Sequence, residues 1–436
     1  MSALNRRQFL TSTLAGLAST GVLAACNSKS IAGKTGSPST SAGSNAASQS
    51  TVAGDAAAPK ALKASAVEKR RLVVIEMSGG NDGVSTLIPY GMEGYNDLRK
   101  RIAVDPKELL TYNDQVGLHK NLKQVQNRGL AIVQGIGTPN PDGSHFAMMD
   151  RWWSGDLRGE GKLTTGFLGR LADAIGDPAA RAVALSIGSG SHPALRSVKA
   201  PTLSIPRADI AGALAGANAD DETRYAFQQA LADMAKEANG DQPGLMLARR
   251  GNRDAVRFAT TLTGLPEDKS DGYPGGNLSD GLKLAARLLG ADPAIRIMHV
   301  PMGADFDTHD DDGGRHPELM NNFSVSVDAF MADLEKRGIA DQVLVMTTSE
   351  FGRTIKDNNS GGTDHGTASV AMLLGPVKAG LHGEYPSLTK LNEDGQLIAT
   401  VGFDQYYATV AETWFGVPSG DVLANAPKPL AGLINV

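Results

Sequence analysis

Near-continuous apolar runs that stop at glycine-rich turns punctuate the chain from residue 71 onward. Residues 71–77 read Arg-Leu-Val-Val-Ile-Glu-Met and end at Ser78-Gly79-Gly80-Asn81-Asp82-Gly83. The pattern returns at 131–136, 182–187, 295–300, 343–348 and 370–374. Short apolar runs closed by turn residues predict buried strands. Between them, apolar positions recur at helical spacing over 166–176, 222–236, 242–262, 280–290, 317–336 and 404–415, and 145–154 is helical in character. Strands alternating with helices predict an α/β fold, a three-layer α/β/α sandwich around a largely parallel, doubly wound sheet. Residues 190–290 are mostly helical in pattern and read as an insertion. No fixed-period repeat suggests a solenoid.

The first 69 residues follow different rules. Asn5-Arg6-Arg7-Gln8-Phe9-Leu10 is a twin-arginine pattern, and Leu23-Ala24-Ala25-Cys26 reads as a lipobox. The uncharged stretch between them is shorter than the roughly 20 apolar residues a membrane span needs, so residues 1–26 read as an export signal. Cys26, the only cysteine, is the expected lipidation site, and no internal disulfide can form. Residues 27–69 are rich in Ser, Ala, Gly and Thr. They bury too little to offset the entropy of ordering and read as a tether with a reach of roughly 35–40 Å. The folded domain is expected over 70–436, held at the periplasmic or cell-surface side of a membrane by its lipid. A net charge of -5 advertises no nucleic-acid face.

In open α/β sheets, ligands sit beyond the carboxyl ends of the strands. Polar clusters stand at those places here: Asp82 in Gly-Gly-Asn-Asp-Gly, Ser144 in Asp142-Gly143-Ser144-His145-Phe146, Asp305 and His309 in Asp305-Phe306-Asp307-Thr308-His309, Glu350 and Arg353 in Ser349-Glu350-Phe351-Gly352-Arg353, and Asp364-His365 before the strand near 370. Asp305 and His309 are four apart, a spacing that on a helical turn places both on one side, as a metal requires. Carboxylates with one or two imidazoles suit Zn, Mn, Mg or Ca. Ser144 stands where a helix begins, as an N-cap, as a nucleophile beside free N–H groups, or as both. The acidic run 310–312 reads as a solvated loop, His316 as a surface or hinge residue, and His299 as a core histidine. His119, His192 and His382 receive no role.

These blocks resemble the domain-of-unknown-function 1501 family of exported bacterial proteins. The resemblance rests on Ser-Gly-Gly-Asn-Asp-Gly (78–83), Gly-Thr-Pro-Asn-Pro-Asp-Gly-Ser-His-Phe (137–146), Thr-Gly-Phe-Leu-Gly-Arg (165–170), Phe-Asp-Thr-His (306–309), Thr-Ser-Glu-Phe-Gly-Arg (348–353) and Gly-Thr-Asp-His-Gly-Thr-Ala (362–368). It implies a fold similar to the alkaline phosphatase and sulfatase superfamily. By that resemblance Asp305, His309 and His365 hold one metal, and Ser144 is the nucleophile. Glu350-Phe351-Gly352 falls where the superfamily carries Asp-His-Gly, and Asp82 lies a few residues beyond the first-strand Asp. Both departures weaken a second metal, so one divalent ion per chain is expected. Arg353 then stands as a fixed positive charge in place of the lost ion. Glu350 is expected to pair with Arg353 or another cation.

Two functions follow as expectations. One is a lipid-anchored, metal-dependent hydrolase of phosphate or sulfate esters, with an anionic ester or surface glycan as substrate. The other is a non-catalytic, surface-anchored binding or assembly protein with a degenerate sulfatase-like site.

Overall fold

Alternation along each strand divides the apolar side chains between the two faces of one sheet. In Arg71–Glu76, Val73 and Ile75 join one buried cluster while Leu72 and Val74 join another. Val343 and Val345, against Leu344 and Met346, repeat the split in Val343–Thr348. A strand buried on both faces is what an uninterrupted apolar run encodes.

The computed structural model describes residues 65–436 except 162, 189–190, 206–219, 235 and most of 237–269. The export signal, Cys26, nearly all of the tether and most of the helix expected over 242–262 lie outside the described residues. The described chain begins at Ser65, whose N–H donates to Asp341 O at 3.2 Å, and Val67–Lys69 forms a 3-10 turn.

The main sheet has nine strands. Its order is Gly380–His382, Ala131–Gly137, Ser369–Leu374, Val343–Thr348, Arg71–Glu76, Ile297–Pro301, Ala184–Ile187 and Thr202–Ile205, with Val401–Gly402 also paired to Ala131–Gly137. Every pairing is parallel except those of Ser369–Leu374, which runs antiparallel between its two neighbours. The α/β class and the largely parallel sheet are as the sequence pattern predicts.

Helices Asn277–Ala291 and Asp312–Lys336 cover one face; His145–Ser154, Phe167–Ile175 and Phe403–Ala408 cover the other. Thr202–Ile205 belongs to the main sheet, and Asn277–Ala291 buries its leucines in the main core. Both fall within the stretch read as an insertion. The helix at 404–415 runs as an α-helix to Ala408 and continues as a π-helix over Thr409–Trp414. Among the described residues, no helix is long and apolar enough to cross a membrane.

Two expectations are corrected by the long helix. It begins at Asp312, before Pro317, and one side of its first turns faces inward. His316 and Asp312 are each 1 % exposed, and neither is a surface residue. Asp310 and Asp311 do stay exposed.

Candidate metal centre

Four side chains from three segments meet beyond the strand ends. His145 opens the helix that follows Ala131–Gly137. Asp307 and His309 stand in the loop after Ile297–Pro301, and His365 ends Thr363–His365. The His365 Nε2 lies 3.0 Å from His145 Nε2, 3.0 Å from His309 Nε2 and 3.2 Å from Asp307 Oδ1. Asp307 Oδ1 is 3.1 Å from His309 Nε2 and 3.6 Å from His145 Nε2.

The opposite nitrogen of each ring decides what these contacts are. His145 Nδ1 is 2.8 Å from Glu350 Oε1, His309 Nδ1 is 3.1 Å from Asp364 Oδ1, and His365 Nδ1 is 2.6 Å from the Gly143 carbonyl. Each of these partners only accepts, so each Nδ1 carries the proton and donates. Three Nε2 lone pairs and a carboxylate oxygen are then left facing one another. Without a cation that convergence is repulsive. With one it is ordinary: bonds of about 2.0–2.2 Å in a tetrahedral set put ligand atoms roughly 3.3–3.6 Å apart, and histidine ligands regularly donate their other N–H to a carboxylate or carbonyl. The His145, Asp307 and His365 atoms all lie within 4.8 Å of one another and fit a metal ion, and His309 Nε2 adds a further donor beside Asp307 and His365. Three imidazoles favour Zn or a transition metal over Mg or Ca, which prefer all-oxygen shells. The four side chains are 24 to 44 % exposed, so the point they surround is open to solvent.

The residues expected at the site take several places. His309 and His365 come together as anticipated. Asp305 does not join them: its Oδ1 accepts the Asp307 N–H at 3.0 Å. The segment 302–309 contains no helical turn. In an extended loop, residues two apart share a side, and Asp307 takes the place given to Asp305. Glu350 and Asp364 stand behind histidines, on the far side from the point where the Nε2 atoms and Asp307 Oδ1 converge. Glu350 Oε1 also accepts the Gly79 N–H at 2.7 Å. Its cationic partner is not Arg353, which pairs with Asp307.

Arg353 is not an open anion site. It is 1 % exposed, and it donates to Gly80 O at 3.0 Å, Phe306 O at 3.2 Å and Thr363 O at 3.3 Å, as well as to Gly79 O and Asp307. Burial acts to raise the Asp307 pKa; the hydrogen bond and charge of Arg353 outweigh it and hold the carboxyl below its usual range. Gly79, at φ +108°, lets its turn pass so close that a Cβ there would overlap the Asp305 carboxylate and the Asp307 backbone.

Asp82 lies elsewhere. It is fully buried, bonded to Arg99 at 2.5 and 3.0 Å, and it accepts the Val84 N–H. Burial works against its ionised form, but Arg99 prevails and holds its pKa below the ordinary range. Ser144 is an exposed N-cap whose Oγ accepts from Ala147 N at 3.5 Å.

Sequence reasoning passed over His145 and Asp307, although both stand inside the motifs it quoted. His145 immediately follows the predicted helix start, which was the available signal.

A second cluster, Glu76, His192 and His299, also brings carboxylate and imidazoles together. There the logic inverts. His192 Nδ1 accepts the Ala194 N–H at 3.3 Å, and Ser186 Oγ lies 3.0 Å from His299 Nδ1. Both Nε2–H groups then donate to Glu76 Oε2, at 3.0 and 2.6 Å. Burial opposes ionisation of Glu76, yet these two bonds hold its pKa well below the usual range. No lone pair is left for an ion. The expected core role of His299 is what this network shows. Trp153 Nε1 donates to Glu76 Oε1 at 3.0 Å, so the network also anchors the helix that carries His145.

Similar solved structures include a sulfatase from Pseudoalteromonas sp., 12% identical over 83% of this chain and 73% of that chain, with a TM-score of 0.37. Another is an alkaline phosphatase from the Antarctic bacterium TAB5, 12% identical over 74% of this chain and 95% of that chain, with a TM-score of 0.33. No curated protein matches the chain. A family model described as "Protein of unknown function (DUF1501)" matches residues 127–400, and the chain belongs to that family.

Proposed function

We propose that the chain is an exported, lipid-anchored hydrolase of phosphate or sulfate esters with a mononuclear metal centre on His145, Asp307, His309 and His365. The convergence of three unprotonated imidazole nitrogens with the Asp307 carboxylate carries this reading. When bound, a divalent ion would supply Lewis acidity, drawing charge from an ester oxygen.

The chain's own residues supply the rest. Glu350, Asp364 and the Gly143 carbonyl hold the three Nδ1 protons and so aim the rings. Arg353 fixes Asp307 and ties it to the Gly79-Gly80 turn. Helix His145–Ser154 starts at the centre, and its first free N–H groups and positive dipole end suit an anionic oxygen. Ser144, exposed at that same helix start, offers the hydroxyl for attack. Cys26 would carry the lipid; two acyl chains suffice for stable anchoring. Cys26→Ala should release a soluble body, and an unmodified Cys26 in the membrane fraction would contradict the anchor.

The test is turnover of a panel of phosphate and sulfate esters by the full chain, with and without Zn or Mn, alongside Ser144→Ala. Metal-dependent hydrolysis that Ser144→Ala lowers by about 100-fold or more supports the reading.

Two observations favour a second reading. Four donors from the chain itself equal the number that closes a structural metal site. The Phe351 ring also packs with its centroid 4.8 Å from both His145 and His365. Under this reading the protein is a surface-anchored binding or assembly protein. A full metal complement with no turnover of any ester would favour it.

A further inference from the structure

A cavity of about 390 Å³ lies apart from the metal centre, between Gly83–Thr86, residues 101–108 and the start of helix Asp312–Lys336. Its walls are unlike each other. Ile102, Ala103, Val104 and Pro317 give it an apolar side; Ser85, His119, Asp312 and His316 give it a polar floor.

Two buried acceptors without a partner belong to residues of this floor. His316 is 1 % exposed; its Nε2 is 3.2 Å from Asn81 Oδ1, which only accepts, so that nitrogen carries the proton. Its Nδ1 is therefore a bare lone pair, and it has no partner. One turn earlier, Asp312 is equally buried; its Oδ2 accepts from Ser85 at 3.3 Å while its Oδ1 has no partner. The Thr308 hydroxyl lies beside that carboxylate without the geometry of a hydrogen bond. A buried polar atom left unpaired costs about 1–3 kcal/mol, more if charged, so two on one floor call for an occupant.

Charge narrows the occupant. The neighbouring Asp82 already has its counterion in Arg99. Asp312 has no ion-pair partner of its own and meets the charge of Arg99 only at a distance; the other charged lining groups are Arg101, held by the Asn358 and Asn359 carbonyls, the Lys120–Glu108 pair, and the acidic Asp105. His119 and His316 add no positive charge at neutral pH, since burial pulls each down to about 4. The cavity thus offers one carboxylate without an ion-pair partner, one imine nitrogen and an apolar wall.

We propose that this cavity binds a small aliphatic primary amine, with its ammonium group on Asp312 Oδ1 and His316 Nδ1 and its hydrocarbon body against Ile102, Val104 and Pro317. The volume falls in the range of small-molecule pockets, about 300–1,000 Å³. The amine supplies N–H donors and the missing positive charge together, which a neutral alcohol of the same shape does not.

Calorimetric titration of the full chain in mildly alkaline buffer tests this, with cyclohexylammonium as probe and cyclohexanol as its neutral counterpart. Saturable binding of the amine, one per chain, with none of the alcohol, is expected. Asp312→Asn should weaken it by about 10–100-fold, the worth of a charged hydrogen bond, while leaving the metal content unchanged. Ala103→Trp at the exposed lip should block it, and this second variant decides the matter if Asp312→Asn does not fold. Equal binding of the alcohol, unchanged amine affinity in folded Asp312→Asn or Ala103→Trp, or no binding of either cyclohexylammonium or methylammonium overturns the proposal.

Discussion

The Nδ1 of His145 lies 2.8 Å from Glu350 Oε1, and this one contact fixes which nitrogen of the ring faces Asp307 and His365. Partners of this kind typically contribute 10–100-fold in metal affinity. Glu350→Ala is expected to weaken metal binding by about that factor in a chelator competition. Glu350→Gln keeps an acceptor oxygen and should lose less. Equal affinity in wild type and Glu350→Ala would show that the contact does not orient a ligand.

Asp305 and Asp307 make a discriminating pair. Asp307→Ala should lose the ion, because its Oδ1 is one of the four converging atoms. Asp305→Ala should keep it and lose only the loop bond to the Asp307 N–H, about 0.5–1.5 kcal/mol. Metal retained by Asp307→Ala and lost by Asp305→Ala would reverse the assignment.

Arg353 is expected to matter for stability. Arg353→Met leaves Asp307 without its buried partner and four carbonyls without a donor. Losing a hydrogen bond from a charged donor costs about 1.5–3 kcal/mol, readable as a lower urea midpoint at unchanged slope. A variant of wild-type stability would show that the contacts contribute nothing.

The six apolar runs were legible as strands because burial on both faces leaves a plain sequence signature; the turns carrying His145, His309, Glu350 and His365 meet because the sheet gathers its strand ends, whereas Asp82 stays apart with Arg99. The direction of Ser369–Leu374 was not, since an antiparallel strand buried on both faces reads like a parallel one. The choice between Asp305 and Asp307 depended on whether the loop coils or extends, and residue types do not encode that. Glu350 and Asp364 carry the same chemistry as ligands; only the position of a ring proton separates a ligand from its support. The burial of Asp312 was hidden by its exposed acidic neighbours.

Asp312 gives a pH prediction. Burial, and then the charge of Asp82, push its carboxyl up to about 7. Between the ordinary carboxylate range and that value the folded chain keeps a proton that the unfolded chain has released. Stability from this group therefore falls as pH rises through that window, and the cost is complete above about 7. Asp312→Asn should gain roughly 2–4 kcal/mol in mildly alkaline buffer and almost nothing in acid. Urea unfolding at both conditions checks it; a variant less stable than wild type in alkaline buffer contradicts it.

Elemental analysis of the purified full chain tests the central claim most directly. The geometry predicts one tightly bound Zn or transition-metal ion per chain, absent from Asp307→Ala. Two tight ions per chain, or none after refolding in Zn or Mn, would contradict a mononuclear centre on His145, Asp307, His309 and His365.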